Sequence, residues 1–325
     1  MTGFVLRRLF LSIPVIVLSS FLVFALVAAS SDPLEALRAN PLASRATIAE
    51  REAELGLNKP VVERYLDWAG DVVRLDLGRS YADNEPVWDK LERGFGVTFR
   101  MVALSTLLAL MLAVGLGVFS AVRQYSVGDY AGTFFAFVFF SMPVFWLAGI
   151  LKDLGIRFNQ ALGKTVFYTI GERTPNLEGT WWDVTANRLG HLALPTITLM
   201  LVTMAAWSRY QRAAMLDVLS SDYVRTARAK GLTEFRVISK HAFRNALIPL
   251  TTVVAIDFAG IVGGAVITES VFAWQGMGRV TLGAINRGDI PVVVAALVII
   301  AMVVVVFNLI ADILYAVLDP RIRNA

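Results

Sequence analysis

The chain has 325 residues, of which 56% are hydrophobic and 17% charged, with a formal net charge of +4. A soluble globule of this length rarely carries so apolar a balance, and the composition places the chain in a bilayer. With no cysteine and only two histidines, disulfides, thiolate metal sites and histidine-based metal or proton relays are excluded, and the basic balance is explained by a membrane face without invoking nucleic acid.

Uncharged apolar runs cover 9–31, 101–122, 130–151, 189–208 and 290–311. Each is long enough to cross a hydrocarbon core, which takes ~20 helical residues. A sixth run, 246–268, is broken only by Asp257. The first run follows Arg7 and Arg8 and ends near Ala28-Ala29-Ser30, but it exceeds the ~7–15 apolar residues of a secretory signal, so it reads as an uncleaved span. Six spans put both termini on one side. Segments 1–8, 123–129, 209–245 and 317–325 hold 13 Lys/Arg against five acids, whereas 32–100, 152–188 and 269–289 hold 17 against 19. The positive-inside rule then makes both termini cytoplasmic.

Between the first two spans, 32–97 form the only sizeable polar stretch, expected as a small, mainly helical extracytoplasmic cap. Residues 46–55 read as a helix stopped by Gly56, and Pro60 opens an amphipathic run with Val62, Tyr65, Leu66, Ala69 and Val73 on one face. Two such helices make no independent core and must pack on the membrane part or on a partner. Met142 and Pro143 in the third run, and Pro195 in the fourth, predict bends. Trp181-Trp182 beside the fourth run suits interfacial anchoring. The expected division is therefore 1–31 as N-terminal span, 32–97 as cap, 98–316 as a five-span core containing the cytoplasmic segment 209–245, and 317–325 as tail.

That cytoplasmic segment carries the most specific pattern in the chain. Residues 221–231 read Ser-Asp-Tyr-Val-Arg-Thr-Ala-Arg-Ala-Lys-Gly, and 241–249 read His-Ala-Phe-Arg-Asn-Ala-Leu-Ile-Pro. Asp222 is a plausible N-cap and Gly231 a helix stop, which predicts a short basic helix with a hard end. Ala227, Ala229 and Gly231 permit close backbone approach, while Arg225, Arg228, Lys230 and Arg236 supply charge for acidic groups or lipid phosphates. A second block runs through the fifth span as Gly260, Gly263 and Gly264, followed by Glu269. Gly260 and Gly264 share a helix face, consistent with either helix packing or pore lining. Asp257 lies mid-span, where a carboxylate lines a pathway or bonds another helix; Asp312, near the cytoplasmic end of the last span, is placed to snorkel.

These two blocks, with matching sequence from Arg7-Arg8-Leu9 to 318–322, resemble the B-type inner-membrane permease subunits of dipeptide and oligopeptide ABC importers, whose cytoplasmic EAA loop the first block matches. Arg225-Thr226-Ala227 stands where many permeases have Glu-Ala-Ala, and His241, Phe243 and Arg244 follow the peptide branch. The resemblance implies an all-α, six-span, type I importer permease. It assigns coupling to the ATPase to Asp222, Tyr223, Arg225, Thr226, Ala227, Arg228, Ala229, Lys230, Gly231, His241, Arg244 and Asn245. It places Asp257, Gly260, Gly263, Gly264, Glu269, Met142 and Pro143 on the translocation path or in helix packing. It further implies a homologous second permease, ATP-binding subunits, an extracytoplasmic peptide-binding protein and a bacterial inner membrane. No Gly-x-x-x-x-Gly-Lys-Ser/Thr loop occurs, so ATP and Mg belong to partner chains and this chain is no enzyme and binds no cofactor. Nickel or glutathione import and secondary transport are the alternatives.

Overall fold

The computed structural model describes residues 2–30, 32–39 and 42–318. Among them the chain is helical, with one isolated bridge pairing Arg79 and Pro86. The helices are α1 (Thr2–Ser30), α2 (Glu35–Arg38), α3 (Arg45–Glu54), α4 (Val61–Val73), α5 (Val87–Val122), α6 (Val127–Ser141), α7 (Val144–Leu162), α8 (Trp181–Leu219), α9 (Asp222–Ala229), α10 (Glu234–Arg236), α11 (Phe243–Gly264), α12 (Val266–Val271), α13 (Met277–Asn286) and α14 (Ile290–Leu318). A π-helical turn, Val237–Ala242, joins α10 to α11.

Four helical stretches, Phe10–Ser30, Val87–Val122, Trp181–Leu219 and Ile290–Ile310, are each long and apolar enough to cross a membrane. The expected third span is not one straight helix. Met142 and Pro143 are extended, and α6 and α7 meet at 109° as a broken span or re-entrant pair, a fifth crossing if counted together. Proline removes a main-chain donor and disfavours helical backbone in the residue before it, so the break falls at Met142. Pro195, by contrast, sits inside an uninterrupted α8. The expected fifth span is α11 followed, after a break at Ala265, by α12.

The chain forms two compact units. The first comprises residues 1–98 and 275–305. In it α3 starts where Ser44 accepts from Thr47 N–H and ends before Gly56 at φ +64°, as the sequence predicts. The buried face of α4 differs from expectation: Val62, Leu66 and Val73 are exposed, and Val61, Tyr65, Trp68, Ala69 and Val72 pack inward. Tyr65 sets this rotation. Its ring meets Phe21 and Phe24 edge-on at 5.1 and 5.6 Å, and its hydroxyl bonds the Ser20 hydroxyl and the Val17 carbonyl. Buried Asp289, just before α14, accepts from the Ser80 hydroxyl and Tyr81 N–H, tying the 76–86 turn to that helix.

The second unit comprises the described residues within 99–274 and 306–325. Here α8 packs against α6, α7 and α11, and Ala109, Ala113, Met204, Trp207 and Leu250 form one core. Asp129, buried at the start of α6, accepts two hydrogen bonds from the Arg212 guanidinium. Near the start of α8, buried His191 stacks on Tyr168 at 4.2 Å and bonds the Gly171 carbonyl through Nδ1 and the Thr174 hydroxyl through Nε2.

Gly117 on α5 faces α8 so closely that a Cβ would lie 2.7 Å from Gln211 Cβ and 2.9 Å from the Ser208 carbonyl oxygen, whereas a Cβ at Gly115 would meet nothing within 4 Å. Gly117→Val is expected to cost about 1–3 kcal/mol by forcing the two helices apart, and Gly115→Ala to be neutral or slightly stabilising. Thermal melts of both variants in detergent check the contrast.

Candidate functional site: a short basic helix and its socket

The segment 209–245 is mostly helix. α8 continues to Leu219, so its 39 residues extend ~58 Å, well beyond a ~30 Å hydrocarbon core. The chain turns at Ser220 and Ser221 into α9. Ser221, not Asp222, is the N-cap residue: it is extended, its hydroxyl is committed to the Val218 carbonyl at 2.6 Å, and Asp222 is the first helical residue. A carboxylate there still complements the positive end of the helix.

α9 ends as its sequence predicts. Gly231 has φ +75°, its N–H reaches the Arg228 carbonyl, and Leu232 N–H reaches that of Ala227. A left-handed residue just past the last turn, closing it with reversed hydrogen bonds, is the usual way for glycine to end a helix.

One face of α9 is spent on its own chain. Val224 and Ala227 are 0% and 5% exposed and pack with Ala121, Met215, Val237, Ala242 and Ala246. Ala227 is thus a floor residue of this socket rather than a free surface. The π turn makes the fit possible. Val237 and Ala242 are five residues apart and both buried, a spacing that a π turn brings onto one face and an α-helix does not. It leaves His241 half-buried and Arg244 and Asn245 exposed. Asn245 Nδ2 donates to the Tyr223 hydroxyl at 2.9 Å and, at 3.4 Å, to the His241 carbonyl, joining the two blocks the sequence singled out.

The opposite face is open: Asp222, Tyr223, Arg225, Thr226, Ala229 and Lys230 are exposed. Arg225 lies a loose 3.8 Å from Asp222. Arg228 is not available to a partner in the same way, because its guanidinium grips Glu234 through two hydrogen bonds of 2.7 and 3.2 Å. That bond holds the Glu234 carboxyl below its usual range despite some desolvation, and raises Arg228. Two residues here escaped sequence reasoning. Glu234 is an acid in a basic stretch, which is the signal that could have marked it. Phe235 is 81% exposed, a large apolar ring in a polar connection.

The second group of sequence-predicted residues is not gathered into one site. Asp257 accepts from Trp207 Nε1 at 2.7 Å, an interhelical bond between α11 and α8, and borders a cavity at the same time. Gly260 is exposed, and a Cβ there would meet nothing within 4 Å, so no helix among the described residues packs on it. The surroundings of Gly263, Gly264 and Asp312, and the tail 319–325, lie outside the described residues. Glu269 is 0% exposed within α12 and lines no open surface. Met142 and Pro143 form the break between α6 and α7.

Residues 113–324 match the family model of the binding-protein-dependent transport system inner membrane component, and 1–102 match the N-terminal membrane-component model of the same systems. The chain belongs to this family. Relatives span its full length: the oligopeptide transport system permease protein OppB of Mycobacterium bovis is 40% identical over 324 residues, covering 99% of each chain. AppB of Bacillus subtilis, another oligopeptide permease, is 40% identical over 99% of this chain and 100% of its own. The dipeptide permease DppB of Escherichia coli K12 is 34% identical over 100% and 99%. Two inward-facing crystal forms of the MetNI methionine ABC transporter give TM-scores of 0.55 and 0.56 at 18% identity, covering 72% of this chain and 99% of the matched one. The fold is that of a type I ABC importer permease, a multi-pass family of membrane subunits that are not themselves enzymes.

Two outcomes test the local geometry of this permease. Gly231→Val is expected to lose about 1–2 kcal/mol of local stability through left-handed strain alone, since open space surrounds the position; Gly231→Asn is expected to retain most of it, read by amide exchange in 222–236. The Arg228–Glu234 bond, with the carboxyl pKa lowered on folding, protects the 230–236 turn above the unfolded glutamate value of ~4.3 and loses that effect as pH falls below it. Glu234→Gln is therefore expected to speed exchange at pH 7, and the difference from the wild type to shrink steadily as pH falls below the unfolded glutamate value.

Proposed function

We propose that this chain is the permease subunit of an ATP-driven importer of oligopeptides or dipeptides, forming half of the translocation path. The observation that carries the coupling part of this reading is the division of α9: one face is locked into its own chain through Val224 and Ala227, and the other is presented bare at the end of a long, stiff helix. A helix held in this way transmits a push without melting. The substrate class rests on the full-length likeness to oligopeptide and dipeptide permeases.

In this reading α11 completes six spans, both termini are cytoplasmic, and 32–97 face outward. A homologous second permease closes the path. ATP-binding subunits, which hold ATP and Mg, receive the exposed face of α9 in a groove, and an extracytoplasmic binding protein delivers peptide. Closure of the ATP-binding subunits would draw the two coupling helices together and move the packed spans as rigid bodies from inward to outward access.

The test is ATP-dependent uptake of a labelled tripeptide by proteoliposomes holding the complex that co-purifies with this chain, with its binding protein added. Import supports the reading; vigorous ATP hydrolysis with no import of any peptide overturns it. Ala229→Tyr, which puts a ring on the bare face, is expected to insert normally and to lower import relative to hydrolysis roughly tenfold or more. Unchanged import would remove α9 from the coupling role.

A further inference from the structure

Near the cytoplasmic end of α8 lies a cavity of about 590 Å³ between α5, α6, α8 and α11, lined in part by Leu116, Phe137, Phe140, Arg209, Tyr210 and Asp257. Its volume falls within the ~300–1,000 Å³ typical of small-molecule sites, and its walls are mainly apolar with a few polar groups, as such sites require. The two charged groups at issue are only partly satisfied by the chain itself. The Arg209 guanidinium lies over the rings of Phe137 and Phe140, 4.8 and 4.7 Å from their centroids, and no carboxylate among the described residues pairs with it. Its neighbour Arg212, one turn on, also lines the cavity but is neutralised by Asp129. Asp257 uses one oxygen for the Trp207 indole, and no donor among the described residues bonds the other.

Arg209 is exposed and Asp257 half-buried, so a guanidinium without a carboxylate partner among the described residues and a carboxylate with an oxygen to spare are both open to a ligand entering this mainly apolar cavity. Aromatic rings hold the guanidinium flat without consuming its donors, which leaves the planar fork for an incoming carboxylate. We propose that this cavity is a binding site for a short peptide with free termini: Arg209 takes the terminal carboxylate, Asp257 the terminal ammonium, and Phe137 and Phe140 flank the residues between. The inference rests on the peptide-import reading above and adds a site on the cytoplasmic side. The mainly apolar walls, with Ser120, Thr133, Ser208, Tyr210 and Arg212 as their other polar groups, would accept varied side chains, and the two charges would select for free ends. A membrane lipid bearing phosphate and ammonium shares part of this chemistry, and the experiment separates the two.

Binding of trialanine, its C-terminal amide and its N-acetyl form is measured by calorimetry on the assembled transporter without binding protein, in nanodiscs of phosphatidylglycerol, which carries no ammonium. Both derivatives are expected to bind the wild type about 10- to 100-fold more weakly than trialanine. In complexes that still co-purify with their partner subunits, Arg209→Gln is expected to abolish the acid-over-amide preference and keep the penalty for acetylation. Asp257→Asn, which can still accept from Trp207, is expected to do the reverse. Equal binding of the three peptides to the wild type overturns the proposal and leaves a lipid as the occupant, and so does an Arg209→Gln complex that still prefers the acid. A transporter that imports trialanine but does not bind it here overturns the site alone; one that imports no peptide overturns the functional reading and this site with it.

Discussion

The burial of Val224 and Ala227 against Met215, Val237, Ala242 and Ala246 is the contact on which the segment 209–245 of this permease depends. Without it α9 would be an eight-residue helix in water, too short to persist by its own hydrogen bonds. With it, the helix becomes a rigid extension of α8 and α11. The π turn at Val237–Ala242 lets both sides of the socket supply small or branched apolar residues at once. The Tyr223–Asn245 hydrogen bond and the Arg228–Glu234 ion pair then fix the helix in rotation. What is left exposed is a narrow strip of polar and small side chains.

The same economy governs charge in the spans of the second unit. Asp129 and Asp257 are each anchored by a donor on α8, from Arg212 and Trp207 respectively, so that helix collects the polar bonds of α6 and α11. A carboxylate taken out of water stays charged only where donors replace its hydration, and here the donors come from one helix. The cavity beside Arg209 is where this arrangement is left incomplete on one side.

Local signals in the sequence were read correctly where a single residue decides the backbone. Gly56 and Gly231 both adopt positive φ at helix ends, and Pro60 stands directly before α4. The identity of the family was legible for a similar reason, since 221–231 and 241–249 combine residue types that charge alone does not require. Features decided by partners distant in sequence were not legible. The inward face of α4 turns toward Trp68 and Val72 because Tyr65 seats between Phe21 and Phe24, some forty residues earlier. Asp129 and Arg212 are 83 residues apart. Proline at 143 announces a break but not its 109° angle, and the π turn has no compositional mark at all. Asp222 lost the cap position to Ser221 because two adjacent residues could serve and the end of α8 chose between them.

The absence of cysteine from the chain permits the most direct test of the central claim, that the bare face of α9 meets an ATP-binding subunit. Single cysteines placed at Arg225 and Ala229 on that face, and at Glu178 between α7 and α8 as a reference, are joined to nearby amines by a short thiol-to-amine linker in native membranes, and the adducts are identified by mass. The account predicts a strong adduct with an ATP-binding subunit from positions 225 and 229 and none from 178. Equal yields from all three positions, or adducts from 225 and 229 with no ATP-binding subunit, would contradict it.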